Sequence, residues 1–222
     1  MDFNDIEVIR SKRKTIAIII QKDGTVQIRA PKYAAKIQIQ QFFQSKLGWL
    51  QSHQSKILNQ QTPVYKYEQG EQFLFLGTKY PLELSNRYKK PLVLNGNFQL
   101  NNRKEQDPEK IFTDWYRKKA REIFSERAEK FSKLHSYNYG KIRISSARTR
   151  WGSCSSKGTL SFTWRLVMAP MEIIDYVIIH ELVHLKIKNH SSTFWNKVQE
   201  LEPDYKRKRK WLKDNGHLLS LS

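Results

Sequence analysis

His180-Glu181-Leu182-Val183-His184 sets two imidazoles four residues apart with a carboxylate between them, and His190 follows six residues later. On a helix of ~3.6 residues per turn, positions i and i+4 lie ~40° apart around the axis, so both rings can reach one metal ion. Glu181 can then point at a water on that metal. Two such ligands, a base beside an open coordination position and a third ligand from elsewhere are what a zinc hydrolase requires. The five-residue pattern is short, and its surroundings give it weight. Ile174, Val177, Ile178, Leu182, Val183 and Leu185 make the segment Met171 to Leu185 apolar around much of a helix, which predicts burial. Burying His180, Glu181 and His184 there is costly unless they are satisfied, and a metal satisfies all three together. The alternative, two core histidines bonded to backbone and Glu181 reaching a lysine, fits poorly with the rarity of unpartnered buried Glu.

His190 is the expected third ligand. Asn189 reads as a left-handed cap ending the helix, and Ser191 or Ser192 as the cap of a following helix, Thr193 to Leu201. His190 then falls in the turn between them. Glu200 and Glu202 are the rivals, since a carboxylate from the next helix could also serve. Three protein ligands with one open position make a catalytic site, whereas structural zinc is closed by four. Cys154 lies nearby in sequence; a blocking fourth ligand and a redox sensor are its sharper readings, a small buried residue the expected one.

The elements that must carry these groups form an α+β chain, with a β-rich first half and a helix-rich second half. Thr15 to Ile20 and Thr25 to Ala30 flank Asp23-Gly24, a strong hairpin signature. Ile37 to Leu58 reads as one amphipathic helix. Gln72 to Leu76 with Tyr80 to Leu84 predicts a second hairpin, and Pro91 to Leu100 a third that turns at Asn95-Gly96. Pro108 opens a long helix ending before Tyr137. Ile142 to Ser146 and Gly158 to Thr163 are the last strands, joined by a segment running through Trp151 to Gly158. The polar stretch Asn101 to Asp107 is the best boundary, giving a β-rich region over 1–104 and a metal-binding region with an adjacent small sheet over 105–222.

Together, Arg150-Trp151-Gly152-Ser153-Cys154, Leu160-Ser161-Phe162, the histidine motif, Asn189-His190-Ser191 and Phe194-Trp195 resemble the YgjP-like metallopeptidase family of the zincin group. Upstream, Lys14-Thr15-Ile16, Asp23-Gly24 and Arg29-Ala30-Pro31 resemble its first hairpin, and Phe75-Leu76-Gly77 its second. Downstream, Pro203 to Trp211 also fits. The resemblance spans nearly the whole chain. It implies a zincin-like catalytic half and a zinc-dependent peptidase, with ligands at His180, His184 and His190. It does not fix the natural substrate, because a fold hosts many chemistries.

The chemistry expected is hydrolysis by a water whose pKa zinc lowers toward ~7. Glu181 accepts the proton and passes it to the leaving amine. The strand around Leu160-Ser161-Phe162 is expected to hold an extended peptide by backbone pairing. Arg150 and Trp151 are candidate substrate contacts near it, with a core tryptophan and a solvated arginine as the plainer reading. Tyr176 lies one turn before His180, and no role is assigned to it.

Forty Lys and Arg against 21 Asp and Glu give a net charge of +19, which points to an anionic partner such as nucleic acid or a nucleotide. The densest run is Lys206-Arg207-Lys208-Arg209-Lys210, between Tyr205 and Trp211; such runs are usually solvated helix faces. Three functions compete: a zinc peptidase, a zinc hydrolase of an anionic non-peptide such as a nucleoside triphosphate, and a nucleic-acid-associated protein with a structural metal. Glu181 argues against the third, because a structural site has no use for a base. A single cysteine excludes an internal disulfide. No apolar run approaches the ~18 residues of a membrane span, and the first residues lack a signal peptide's apolar core. A cytoplasmic location without a membrane partner is therefore expected.

Overall fold

Three short strands open the chain, β1 (Glu7–Ser11), β2 (Ala17–Ile20) and β3 (Val26–Pro31). The computed structural model describes residues 2–21, 23–59, 62–87, 89–101 and 107–221. β2 and β3 form the hairpin expected at Asp23-Gly24. There the Asp23 carboxylate accepts the Thr25 amide at 3.0 Å and Gly24 adopts φ 83°, a conformation that its missing Cβ permits. β1 joins β3 in parallel, giving the order β1-β3-β2. α1 (Lys36–Ser45) and α2 (Leu47–Asn59) contribute Ile39, Phe43 and Leu50 to a core with Ile28 and Ala30. The expected single helix over Ile37 to Leu58 is broken. Lys46 leaves helical geometry (φ −111°, ψ 2°), and Gly48 just beyond it lowers the cost of the interruption. These elements make one compact unit, Met1–Gln61.

The other unit, Thr62–Ser222, begins with β4 (Gln72–Phe75), β5 (Thr78–Leu84), β6 (Leu92–Asn95) and β7 (Asn97–Leu100). Both expected hairpins are present, and the second turns at Gly96 (φ 73°). A parallel pairing of β5 with β7 merges them into one sheet, β4-β5-β7-β6. α3 (Pro108–Leu134) starts with Asp107 as N-cap and Pro108 in its first turn. Its buried residues recur every four positions for most of its length: Phe112, Tyr116, Ala120, Phe124 and Ala128, then Phe131. The Phe112 ring stacks on Phe73 at 4.3 Å, and the Tyr116 hydroxyl donates to the Leu74 carbonyl at 2.6 Å. The boundary expected between residues 104 and 105 falls outside the described residues. The four-stranded sheet shares its core, and its unit, with the helix that carries the histidines.

β8 (Lys141–Ser145), β9 (Gly152–Cys154) and β10 (Thr159–Thr163) form the small sheet. Its order is β8-β10-β9, with β10 parallel to β8 and antiparallel to β9. β10 is thus paired on both sides, which corrects the expectation that it receives a peptide; β8 and β9 hold the edges. A 3-10 turn (Trp164–Met168) leads into α4 (Met171–Val183), followed by α5 (Ser192–Leu201) and α6 (Tyr205–Asn215). α4 is buried nearly all round, as its composition requires. Arg127 on α3 grips Asp175 on α4 through two bonds of 2.6 and 2.5 Å. The amides of Leu76 and Gly77 donate at 3.0 Å to the carbonyls of Val167 and Met168. A Cβ on Gly77 (φ 81°) would stand 2.8 to 3.1 Å from atoms of Pro170, so the β4–β5 turn presses on the start of α4. The fold is α+β.

Candidate active site

α4 carries His180 and Glu181 in its last turn, and His184 stands at its C-cap. The helix ends in a tightened turn, with the Leu185 amide on the Leu182 carbonyl at 3.0 Å and the Lys186 and Ile187 amides on Val183 at 3.1 and 3.0 Å. The expected left-handed cap at Asn189 is corrected. Among the described residues, positive φ outside glycine occurs at Tyr67, Leu76 and Ser136, and the turn above satisfies the carbonyls that such a cap would serve. Asn189 instead accepts the Ser191 amide through its side chain at 3.4 Å. Ser191 does occupy the N-cap of α5, without a side-chain bond. The chain thereby folds back, and His190 meets the α4 histidines.

The Nε2 atom of His190 lies 3.1 Å from that of His184 and 3.1 Å from that of His180. All three ligand atoms fall within 4.8 Å of one another. Nitrogens bound tetrahedrally to zinc at ~2.0–2.1 Å stand ~3.3 Å apart, so the separations fit one ion. The protonation pattern fits as well. His184 Nδ1 lies 2.9 Å from the Ile187 carbonyl, which fixes the proton on Nδ1 and turns the Nε2 lone pair toward its neighbours. Burial holds His184 below the usual imidazole range. His180 is pushed down to about 3, first by burial and then by His184, His190 and Arg209. A cation among the three nitrogens would satisfy them together.

α5 fixes the rings from behind. Phe194 is fully buried and stacks on His184 at 4.4 Å, and it touches His180 and His190 at 4.9 and 4.8 Å. Trp195 stacks on His190 at 5.6 Å.

Glu181 is 5% exposed, and its Oε2 has no hydrogen-bond partner among the described residues. Burial pushes its carboxyl up to about 8, against the opposing field of Arg150. A divalent cation on the histidines would act in the same direction as Arg150. The carboxylate is wedged under β9: a Cβ on Gly152 would stand 2.5 Å from Glu181 Oε1 and 2.7 Å from its Cγ. Two clefts meet here. One, of ≈ 340 Å³, is lined by Trp151, Gly152, Tyr176, Val177, His180, Glu181, Arg209, Leu212 and Lys213. The other, of ≈ 270 Å³, runs past Gly152 to Cys154, the three histidines, Glu181 and Lys188.

A family model described as the YgjP-like metallopeptidase domain matches residues 14–215. The chain belongs to this family. Metallopeptidases of this kind act through a catalytic metal, and a peptide or protein is the class of substrate. Among solved structures, the metallopeptidase zymogen abylysin of Pyrococcus abyssi is 28% identical over 40% of this chain and 93% of its own (TM-score 0.37). The zymogen jannalysin of Methanocaldococcus jannaschii is 26% identical over 42% and 95% (TM-score 0.32). None of the curated proteins matches.

Within this YgjP-like chain the other sequence candidates separate. Glu200 and Glu202 stand apart from the nitrogen cluster: Glu200 is held by Lys197 at 2.7 Å and Glu202 by Lys208 at 2.7 Å. Cys154 lines the second cleft half-buried, outside the cluster, and burial raises its thiol pKa. Trp151 walls the first cleft and packs its ring against Gly216, where a Cβ would come within 2.7 Å of it. Arg150 is exposed and is not among the residues lining either cleft.

The basic run is exposed except at Lys208, and three of its five cations have carboxylate partners. Arg207 pairs with Glu172 and Asp204, Lys208 is buried on Glu202, and Lys210 pairs with Asp214. Arg209 alone of the run turns into the cleft. Nothing in the run's composition distinguishes it; only the rotation of α6 does. Among the described residues no helix is long and apolar enough to cross a membrane.

Proposed function

We propose that this metallopeptidase uses zinc held by His180, His184 and His190, with Glu181 as general base, to hydrolyse a peptide laid along the free edge of β9. The observation that carries this reading is the convergence of three imidazole Nε2 atoms beside a buried carboxylate that Gly152 makes room for. Three nitrogen donors with a position left open suit catalytic zinc. When bound, zinc polarises the scissile carbonyl and makes a water nucleophilic near neutral pH.

The chain's own groups do the rest. Glu181 takes a proton from the attacking water and delivers it to the leaving amine, from a carboxylate that its packing allows little freedom. β9 supplies the rail for substrate. Trp151 O accepts from Thr163 and the Ser155 amide donates to Thr159, so the odd-numbered residues face β10. By the alternation of an antiparallel ladder, the amides and carbonyls of Gly152 and Cys154 face outward; Gly152 lines both clefts and Cys154 the smaller one. An extended peptide can add there as a further strand. Trp151 borders its path, and Arg150 acts on Glu181 through its charge.

A nucleotide or nucleic-acid partner rests on the net charge alone, and most cations of the densest run are already paired. Substituting Glu181→Gln tests the reading. Zinc content should stay near one per chain while hydrolysis of an unfolded-protein substrate falls by ~100-fold or more. Full activity in the zinc-replete variant would sink it, as would turnover of nucleoside triphosphates but of no peptide by the unsubstituted protein.

A further inference from the structure

The groove beside the histidines carries one sign of charge. Arg209 and Lys213 stand one turn apart on α6 and both line the larger cleft, and Lys188 lines the smaller one. Glu181 is the one acid lining either cleft among the described residues. Arg207, Lys208 and Lys210 on the same helix each have a carboxylate partner, whereas neither Arg209 nor Lys213 has one among the described residues. Arg209 instead lies over the Trp195 ring, 4.8 Å from its centroid. That ring stacks in turn on His190 and, at 5.3 Å, on Tyr205. A guanidinium held over an aromatic ring, with no carboxylate partner among the described residues, keeps N–H donors for a ligand, and its fork can take a carboxylate through two parallel bonds.

We propose that Arg209 and Lys213 form a carboxylate-recognition subsite that selects peptides bearing an acidic side chain or a free carboxyl terminus close to the scissile bond. The proposal rests on the peptidase reading above and names its substrate class. The remaining wall of Trp151, Tyr176, Val177 and Leu212 is apolar or aromatic, so one anionic group beside a largely apolar neighbour fits better than a polyanion. A triphosphate would call for a cradle of backbone amides at a helix amino terminus, and no lining residue belongs to the first turn of a helix.

Calorimetry on zinc-loaded Glu181→Gln protein, which needs no turnover, decides it. Three matched peptides are compared: a neutral one with an amidated end, one with Glu in place of Gln, and one with a free carboxyl terminus. At least one carboxylate peptide should bind roughly tenfold tighter than the neutral peptide, the scale of a charge-assisted pair in a half-enclosed cleft. Which of them does so identifies the source of the carboxylate. The ratio should fall toward one when Arg209→Met and Lys213→Met are added. Arg209→Lys, which keeps the charge and the packing stem but loses the fork, should give an intermediate ratio. Lys206→Gln with Lys210→Gln removes the same charge from the same helix outside the cleft and should leave the ratio standing.

Equal binding of all three peptides, absence of binding, or loss of the ratio in both double variants alike overturns the subsite. So does tighter binding of a nucleoside triphosphate through the same two residues. Failure of the underlying reading shows separately, as absence of neutral-peptide hydrolysis when Glu181 is intact.

Discussion

Gly152→Ala probes the site through a single methyl group. The added carbon would sit 2.5 Å from Glu181 Oε1, 2.7 Å from Cγ and 2.9 Å from Cδ. Ordinary contact is ~3.5 Å, so the two groups must separate by about 1 Å. Glu181 has little room to yield, because it is 5% exposed on a helix whose neighbours Ile178 and Leu182 are fully buried. β9 is held to β10 by its ladder. Overpacking of this kind costs ~1–3 kcal/mol, and a ~1 Å misplacement of a reacting group costs ~100-fold in rate. The histidines lie outside the clash, so zinc should remain near one per chain. Thermal unfolding, metal analysis and kcat/KM on a fluorogenic peptide measure the three consequences separately. A folded, zinc-replete Gly152→Ala protein with wild-type kcat/KM would refute the placement of Glu181 against β9.

His190→Ala should lose zinc to a weak chelator during dialysis, while Glu200→Ala and Glu202→Ala retain it; a zinc-replete His190→Ala protein would move the third ligand elsewhere. Asp175→Ala leaves the largely buried Arg127 without its two bonds and should destabilise the fold by ~2–4 kcal/mol in urea unfolding. A loss under ~0.5 kcal/mol would show the pair to be an exposed one in effect. Gly77→Ala combines a left-handed backbone with a clash on Pro170, and should cost ~2–4 kcal/mol in the same assay. An unchanged midpoint would mean that the turn does not bear on α4.

The helix with its clustered histidines is legible because burial and chemistry conflict there in the sequence: an apolar segment that also carries two histidines and a glutamate is costly to bury unless something satisfies them. The hairpins were legible because Gly24 and Gly96 mark left-handed turns. What escaped the sequence depends on partners distant along the chain. β9 is three residues, Gly152, Ser153 and Cys154, with no alternation to read, and it becomes a strand only because β10 pairs with it. That pairing leaves β10 with no free edge. Spacing alone leaves His190, Glu200 and Glu202 as alternatives; in the structure His190 joins the nitrogen cluster, while lysines pair with both glutamates. Five consecutive cations look alike until the rotation of α6 buries Lys208 and turns Arg209 into the cleft. Lys46 breaks a helix that spacing alone makes continuous.

The clasp of Leu76 and Gly77 on Val167, Met168 and Pro170 has a consequence in time as well as in space. Its two sides lie roughly 90 residues apart in the chain, so it belongs to the non-local contacts that slow a folding reaction. As a chain emerges from the ribosome, the β4–β5 turn waits for its partner until the segment before α4 has been made. His190 and α6 are translated later still. The histidine cluster spans only residues 180–190, so it is the walls around it, from Trp151 to Lys213, that reach furthest along the chain and are completed last.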